Sequence, residues 1–216
     1  VSINSQGSGT FNNAVLAKND FFDENPDAKD KLRIFNVDSR CYTVFYGYPI
    51  IEAVKKIRKG AEAEEIVAYL EDWFNVCGIY AVPYNLKYAR KSGRISAAKA
   101  FAGEVLGLKP IILFADNTTV TVDKIRGEKN IVPKLIECAE KNMTPQTPYL
   151  ILHGRDDTLA KEIEKEMFKK TGRKAEMFGK IGAVVTANIG PDIVAIFVRR
   201  KNKWFYNFIY YNKECD

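Results

Sequence analysis

Histidine is almost missing from this chain: 216 residues contain one, His153. The four cysteines, Cys41, Cys77, Cys138 and Cys215, form no CxxC pair and no zinc-spaced cluster, which argues against a Cys/His metal site. Long hydrophobic runs are absent too. The longest, Lys109 to Ala115, is strand-sized, well short of the roughly 18–20 residues that cross a bilayer as a helix. Neither GxxxxGK[ST] nor GxGxxG occurs, so mononucleotide and dinucleotide readings lack a phosphate cradle. Nothing resembles a secretory signal, and the sequence opens on Val1-Ser2-Ile3-Asn4-Ser5 rather than Met, so a fragment or processed product is expected. Unpaired cysteines on apolar faces fit a reducing compartment, and a cytoplasmic location is expected.

What is present is ordinary globular composition. Hydrophobic residues make up 46% and charged residues 28%. That excludes a disordered or fibrous chain. The net charge of +6 is unevenly spread: residues 1–85 carry 9 basic and 12 acidic side chains, residues 86–216 carry 24 and 15. The basic second part suits an anionic partner, such as an acidic protein or an anionic membrane met transiently. Nucleic acid is a weaker reading, because Lys87, Arg90, Lys91 and Arg94, or Arg199, Arg200, Lys201 and Lys203, come without an RNA- or DNA-binding motif.

Periodicity predicts an α/β chain. Helices are expected after Ser8, over about Tyr42–Lys59 with a kink or restart at Pro49, over Glu62–Cys77, Leu86–Lys91, Ser96–Leu106, Asn130–Lys141 and Thr158–Lys170. Strands are expected at Leu32–Val37, Ile79–Val82, Tyr149–Leu152, Ile181–Ala187, Ile193–Val198 and the aromatic tail Trp204–Tyr211, with a hairpin turning at Asp116-Asn117. Two domains follow: a partial α/β unit over 1–84, whose parallel sheet is short of strands, and a second α/β unit over 85–216 with a mixed sheet.

Two segments are candidate binding turns. In Ile3 to Phe11, hydroxyls and glycines precede a helix start, where exposed N–H groups suit a carboxylate or phosphate, although an ordinary capped turn has the same composition. Asn188-Ile189-Gly190-Pro191 places a polar side chain before a Gly-Pro turn. His153, at a strand end, has no Ser or Cys partner motif.

Taken in order, these segments resemble the DegV family of fatty-acid-binding proteins, which includes the B subunits of bacterial fatty acid kinases. Ile3-Asn4-Ser5-Gln6-Gly7-Ser8-Gly9-Thr10-Phe11 is similar to the family's Ile-Ser-Ser-x-Leu-Ser-Gly-Thr-Tyr. Val37-Asp38-Ser39 matches its Val-Asp-Ser, and Leu86 to Ser96 resembles Leu-x-Tyr-Leu-x-x-Gly-Gly-Arg-Ile-Ser. Leu108-Lys109-Pro110-Ile111, Lys124-Ile125-Arg126-Gly127 and Thr186-Ala187-Asn188-Ile189-Gly190-Pro191 follow in the family's order.

The resemblance implies a DegV-like two-domain fold holding a long-chain fatty acid, with no other cofactor and no metal. It implies a non-enzymatic subunit presenting the acid to a separate ATP-dependent kinase for acyl-phosphate formation and phospholipid metabolism. It places the carboxylate at Ser5, Thr10 and Asn188, with Gly9 and Gly190 in the same turns. The early Thr-Ser-x-Pro-Ser motif is absent, Asn188 stands where the family has His, Asn4 replaces a Ser, and Asp192 replaces the last Gly of Gly-Pro-Gly. Two alternatives stay open: a degenerate relative without the acyl-kinase role, and a dihydroxyacetone-kinase-like enzyme anchored on His153.

Overall fold

The structure, a computed structural model, describes residues 1–101 and 107–201. Its centre is a mixed six-stranded sheet in the order β3-β2-β1-β6-β4-β5. These strands are β1 (Cys77–Pro83), β2 (Leu108–Ala115), β3 (Thr118–Arg126), β4 (Tyr149–His153), β5 (Met177–Lys180) and β6 (Ile193–Arg199). Only β4 and β5 pair in parallel; every other neighbour is antiparallel. The strand expected at Ile79–Val82 is β1, and it lies between β2 and β6.

Strand alternation feeds two cores. Along β1, Ile79 and Ala81 face one cluster, whereas Tyr80 and Val82 face the other. β1 is buried throughout, as expected of a strand covered on both faces. On one face lie α6 (Ile131–Asn142) and α7 (Thr158–Thr171), which bury Leu135, Ile136, Ile163 and Met167. On the other lie α2 (Val44–Ile57), α3 (Ala63–Asn75) and α8 (Ala183–Ile189). There Trp73 of α3 stacks flat on Phe197 of β6 at 5.7 Å, and Phe45 of α2 stacks on the same ring at 5.6 Å. The remaining helices are α1 (Thr10–Glu24), α4 (Lys87–Ser92) and α5 (Ser96–Ala100).

Local chemistry explains two of the element ends. Glu65 accepts the Glu62 backbone N–H at 3.2 Å, closing the start of α3. Asp116 and Asn117 both take positive φ, the pair of left-handed residues that a tight hairpin turn needs. α2 continues through Pro49 instead of restarting, with the ring buried.

Several sequence expectations change. Ile181–Ala187, expected as a strand, becomes α8. Its β-branched residues line a helix whose start is set by Gly182, and Thr186 donates its hydroxyl to the Gly182 carbonyl at 3.0 Å. The strand place beside β4 is taken by β5, a segment not anticipated. Leu32–Val37 is not a strand: Leu32 and Phe35 are exposed, and only the bridge Ser2–Asp38 marks a short parallel pairing there. Cys77 opens β1 rather than closing a helix; it is buried, and burial pushes its thiol well above the usual range. The helix expected to reach Leu106, the aromatic tail Trp204–Tyr211 and Cys215 lie, wholly or in part, outside the described residues.

Tyr80 makes one consequence of this core measurable. Its hydroxyl accepts an N–H from Asn142 at 3.0 Å, and burial pushes its pKa up to about 12. A phenol whose folded pKa is raised adds stability that is complete below its unfolded pKa near 10 and is lost as pH climbs towards 12. Urea midpoints measured from pH 8 to 11.5 should fall as pH rises, the buried Cys77 thiol contributing from about pH 8.5 and Tyr80 from about pH 10, and Tyr80→Phe should flatten the later part of that fall.

Candidate functional site

A cavity of about 360 Å³ opens on the α2/α8 face of the sheet. Its floor is the inward row of β1, β6 and β4: Ile79, Ala81, Ile193, Ala195 and Leu152. Phe114 of β2, Ile95 and Phe45 close the sides, and α8 lies along it with Val184, Val185 and Ile189. The interior is therefore hydrocarbon, which binds alkyl surface and repels charge.

The polar groups gather in two segments and one loop. Gly93 ends α4 in the left-handed region (φ 69°), which turns the chain so that Arg94 and Ile95 reach the cavity. Arg94 then spans it. Its Nε–H donates to the Gly7 carbonyl at 3.1 Å, and Nη1–H donates to the Asn188 side-chain oxygen at 3.1 Å. Asn188 is itself fixed, donating its amide N–H to the Val184 carbonyl at 2.8 Å. The Ser8 and Thr10 hydroxyls are paired at 2.8 Å at the start of α1, and Ser8 also accepts the Thr10 N–H at 3.3 Å. Tyr42 lies over Gly7 so closely that a Cβ there would come within 2.6 Å of its hydroxyl. Burial raises the Tyr42 pKa, with the charges of Cys41 and Asp38 adding and Arg94 opposing.

Of the residues singled out in the sequence, Thr10 and Asn188 line the cavity, and Arg94 bonds both Asn188 and Gly7, three residues before Thr10. Ser5, Gly9 and Gly190 are not in its lining. The Ser5 backbone N–H is held by the Asp38 carboxylate at 3.1 Å, which ties the opening loop to Val37-Asp38-Ser39. Gly9 precedes α1 and is exposed. Gly190 ends α8 at φ 98°, where a Cβ would meet the Tyr88 ring at 2.9 Å. Asp192 is not in the cavity lining, and its carboxylate accepts from Arg155 Nη2–H at 3.0 and 2.9 Å in an exposed ion pair.

Arg94, Tyr42 and Thr43 line the cavity and were not anticipated. Arg94 carried a sequence signal, the Gly-Arg-Ile-Ser stretch, but no spacing pattern ties residue 94 to residue 188. His153 packs on Phe178 at 5.5 Å, with its Nδ1 against the Gly154 carbonyl, and is not in the cavity wall. Among the described residues no group of three or more His, Cys, Asp or Glu side chains is placed to hold a metal ion, and no helix is long and apolar enough to cross a membrane.

Fold and cavity together define an α/β protein with a mixed sheet, helices on both faces and an apolar chamber closed by a polar strap. The chain matches, over residues 1–201, the family model described as "Uncharacterised protein, DegV family". It belongs to the DegV family. A DegV domain-containing protein of Clostridium perfringens is 25% identical over 202 residues, which cover 93% of this chain and 70% of that one. Protein DegV of Bacillus subtilis is 25% identical, over 91% of this chain and 68% of that protein.

Solved structures share the fold. A DegV family protein of Eubacterium eligens loaded with heptadecanoic acid superposes with a TM-score of 0.78 at 21% identity, over 92% of this chain and 71% of that one. The Bacillus subtilis DegV structure, described as a fatty acid binding protein, gives 0.69 at 25% identity, over 92% and 69%.

Proposed function

We propose that this chain binds a long-chain fatty acid, with the alkyl chain in the cavity and the carboxylate at Arg94. One observation carries the reading: a chamber with a hydrocarbon floor is crossed by a single guanidinium whose present acceptors, Gly7 and Asn188, are both neutral. A carboxylate gives that guanidinium a stronger, charge-assisted acceptor. Each buried methylene adds about 0.8 kcal/mol, so the alkyl chain supplies affinity and the head supplies orientation. The heptadecanoic acid named for the Eubacterium eligens structure, and the description of the Bacillus subtilis structure as a fatty acid binding protein, support this reading.

The same proposal includes presentation of the acid to a separate kinase. Arg94, Thr10 and Asn188 are exposed or half-buried, so a carboxylate held there lies within reach of another protein. With neither phosphate-loop motif in the sequence, the nucleotide falls to that partner.

The test is an organic extract of the purified chain, followed by uptake measurements on delipidated protein. A long-chain monocarboxylic acid should be recovered at close to one per chain. An extract without acid, together with no uptake, rejects the reading. ATP-dependent acyl phosphate formation by a fatty acid kinase should require the loaded chain; formation at the same rate without it rejects the presentation role alone.

A further inference from the structure

We propose that the Tyr42 hydroxyl is a second donor to the bound carboxylate and, with Arg94, sets the preference of the site for an acid over an uncharged chain. This rests on the fatty-acid reading above and deepens it.

The polar groups at the cavity differ in what they have left to donate. Asn188 accepts from Arg94 and donates to the Val184 carbonyl. The Ser8 and Thr10 hydroxyls pair with each other. Arg94 bonds Gly7 and Asn188 with two of its N–H groups, and a guanidinium carries more. The Tyr42 hydroxyl is uncommitted: burial and neighbouring charges set its pKa, with no hydrogen bond among the causes. Among the described residues it is not one of the oxygens sealed away without a partner.

Its position follows from Gly7. A Cβ at residue 7 would lie 2.6 Å from the phenol oxygen. A Cβ stands about 1.5 Å from its Cα and the carbonyl oxygen about 2.4 Å, so the phenol oxygen lies within about 6.5 Å of the Gly7 carbonyl oxygen. Arg94 Nε–H donates to that same oxygen at 3.1 Å. Tyr42, Gly7 and Arg94 all line the cavity, and the Arg94 charge acts on the phenol. Phe114 of the cavity wall meets the Tyr42 ring at 5.8 Å in an edge contact. Phenol and guanidinium thus face the cavity across one glycine. A carboxylate offers two oxygens and about four lone-pair sites, enough to accept from both. Burial keeps the proton on the phenol near neutral pH, so it donates. Towards a carboxylate that bond is charge-assisted; towards an alcohol it joins two neutral groups and is about half as strong.

The experiment uses the full, delipidated chain with palmitic acid and hexadecanol as probes, and Tyr42→Phe both alone and combined with Arg94→Gln. Phenylalanine keeps the ring over Gly7 and removes the hydroxyl. The melting temperature of Tyr42→Phe should stay within about 2 °C of wild type, since the hydroxyl has no protein partner to lose. Its Kd for palmitic acid should rise about tenfold, and for hexadecanol about threefold or less. In the Arg94→Gln background the same substitution should raise the acid Kd by only about two- to threefold, because a carboxylate no longer anchored at residue 94 is not held at the phenol.

Equal losses for acid and alcohol would assign Tyr42 to cavity shape and overturn the proposal. A tenfold loss that persists undiminished in the Arg94→Gln background would also overturn it, by placing the partner of the hydroxyl away from Arg94. If the wild type takes up neither probe, the fatty-acid reading falls first and this inference with it; uptake of the acid by the wild type with an unchanged Kd in Tyr42→Phe removes the inference alone.

Discussion

Phe197→Ala is expected to cost about 3–5 kcal/mol of unfolding free energy, read as a drop in urea midpoint with the slope unchanged. Phe197 is fully buried in β6. Its ring is the shared partner of two others: Trp73 from α3, nearly coplanar at 4°, and Phe45 from α2, at 23°. Both partners arrive from the first 75 residues, whereas Phe197 belongs to the sheet's central pair of strands. Truncation thus opens a cavity at the contact joining the early helices to the sheet, and two large rings lose their packing at once. Two rigid helices cannot close the space as a single flexible side chain would. Phe197→Leu should recover most of the loss. A change below about 1 kcal/mol in the alanine variant would show that the stack is not the main contact between these layers. Because Phe45 also lines the cavity, the alanine variant should bind ligand less tightly even where it remains folded.

How far the sequence foretells these contacts depends on what each residue reports. The Glu62–Cys77 periodicity puts Ile66, Val67, Leu70, Trp73, Phe74 and Cys77 on one face; Ile66, Leu70, Trp73 and Phe74 are buried in α3, Val67 is half-buried, and Cys77 is buried but opens β1. The Asp116-Asn117 pair set the hairpin, because turn chemistry is local. Elements defined by partners elsewhere in the chain were harder to read. Met177-Phe178-Gly179-Lys180 has neither alternation nor β-branched residues; it is a strand because β4 offers a parallel edge. Val184 and Val185 suggest a strand by composition, yet they sit on α8, where Val184 is 75% exposed beside the cavity. Propensity gives way to tertiary context there, at the wall of the candidate site.

The site divides in the same manner. Thr10 and Asn188 were legible because hydroxyl, amide and glycine clusters beside helix ends are visible in one dimension. Arg94 is visible in the sequence as a basic residue within the Gly-Arg-Ile-Ser stretch, with nothing there to tie it to residues 7 and 188. Its meaning comes from the fold, which brings residues 7, 94 and 188 to one place. Ser5 was the leading candidate from the resemblance, and the structure uses its backbone to hold Asp38. The departure at residue 188 also acquires a physical sense: an amide oxygen accepts from a guanidinium, which a protonated imidazole cannot do.

Arg94→Gln should lower affinity for a long-chain acid by roughly ten- to a hundredfold, the range for losing a charge-assisted hydrogen bond. The effect is held to that range because Arg94 is exposed on one side and solvent screens its charge. Stability should barely move. The two bonds made by the ligand-free guanidinium go to neutral acceptors near the surface, and glutamine can donate to either one. Three further measurements separate charge from shape. Affinity for hexadecanol should be nearly unchanged in Arg94→Gln. Arg94→Lys should retain part of the acid affinity, since an ammonium keeps the charge but loses the planar fork that can reach Gly7, Asn188 and a carboxylate together. Raising the salt concentration should weaken acid binding by the wild type more than by Arg94→Gln. Equal losses for acid and alcohol in Arg94→Gln would instead show that the arginine acts as a strap holding Gly7 and α8 over the chamber, with the carboxylate bound elsewhere.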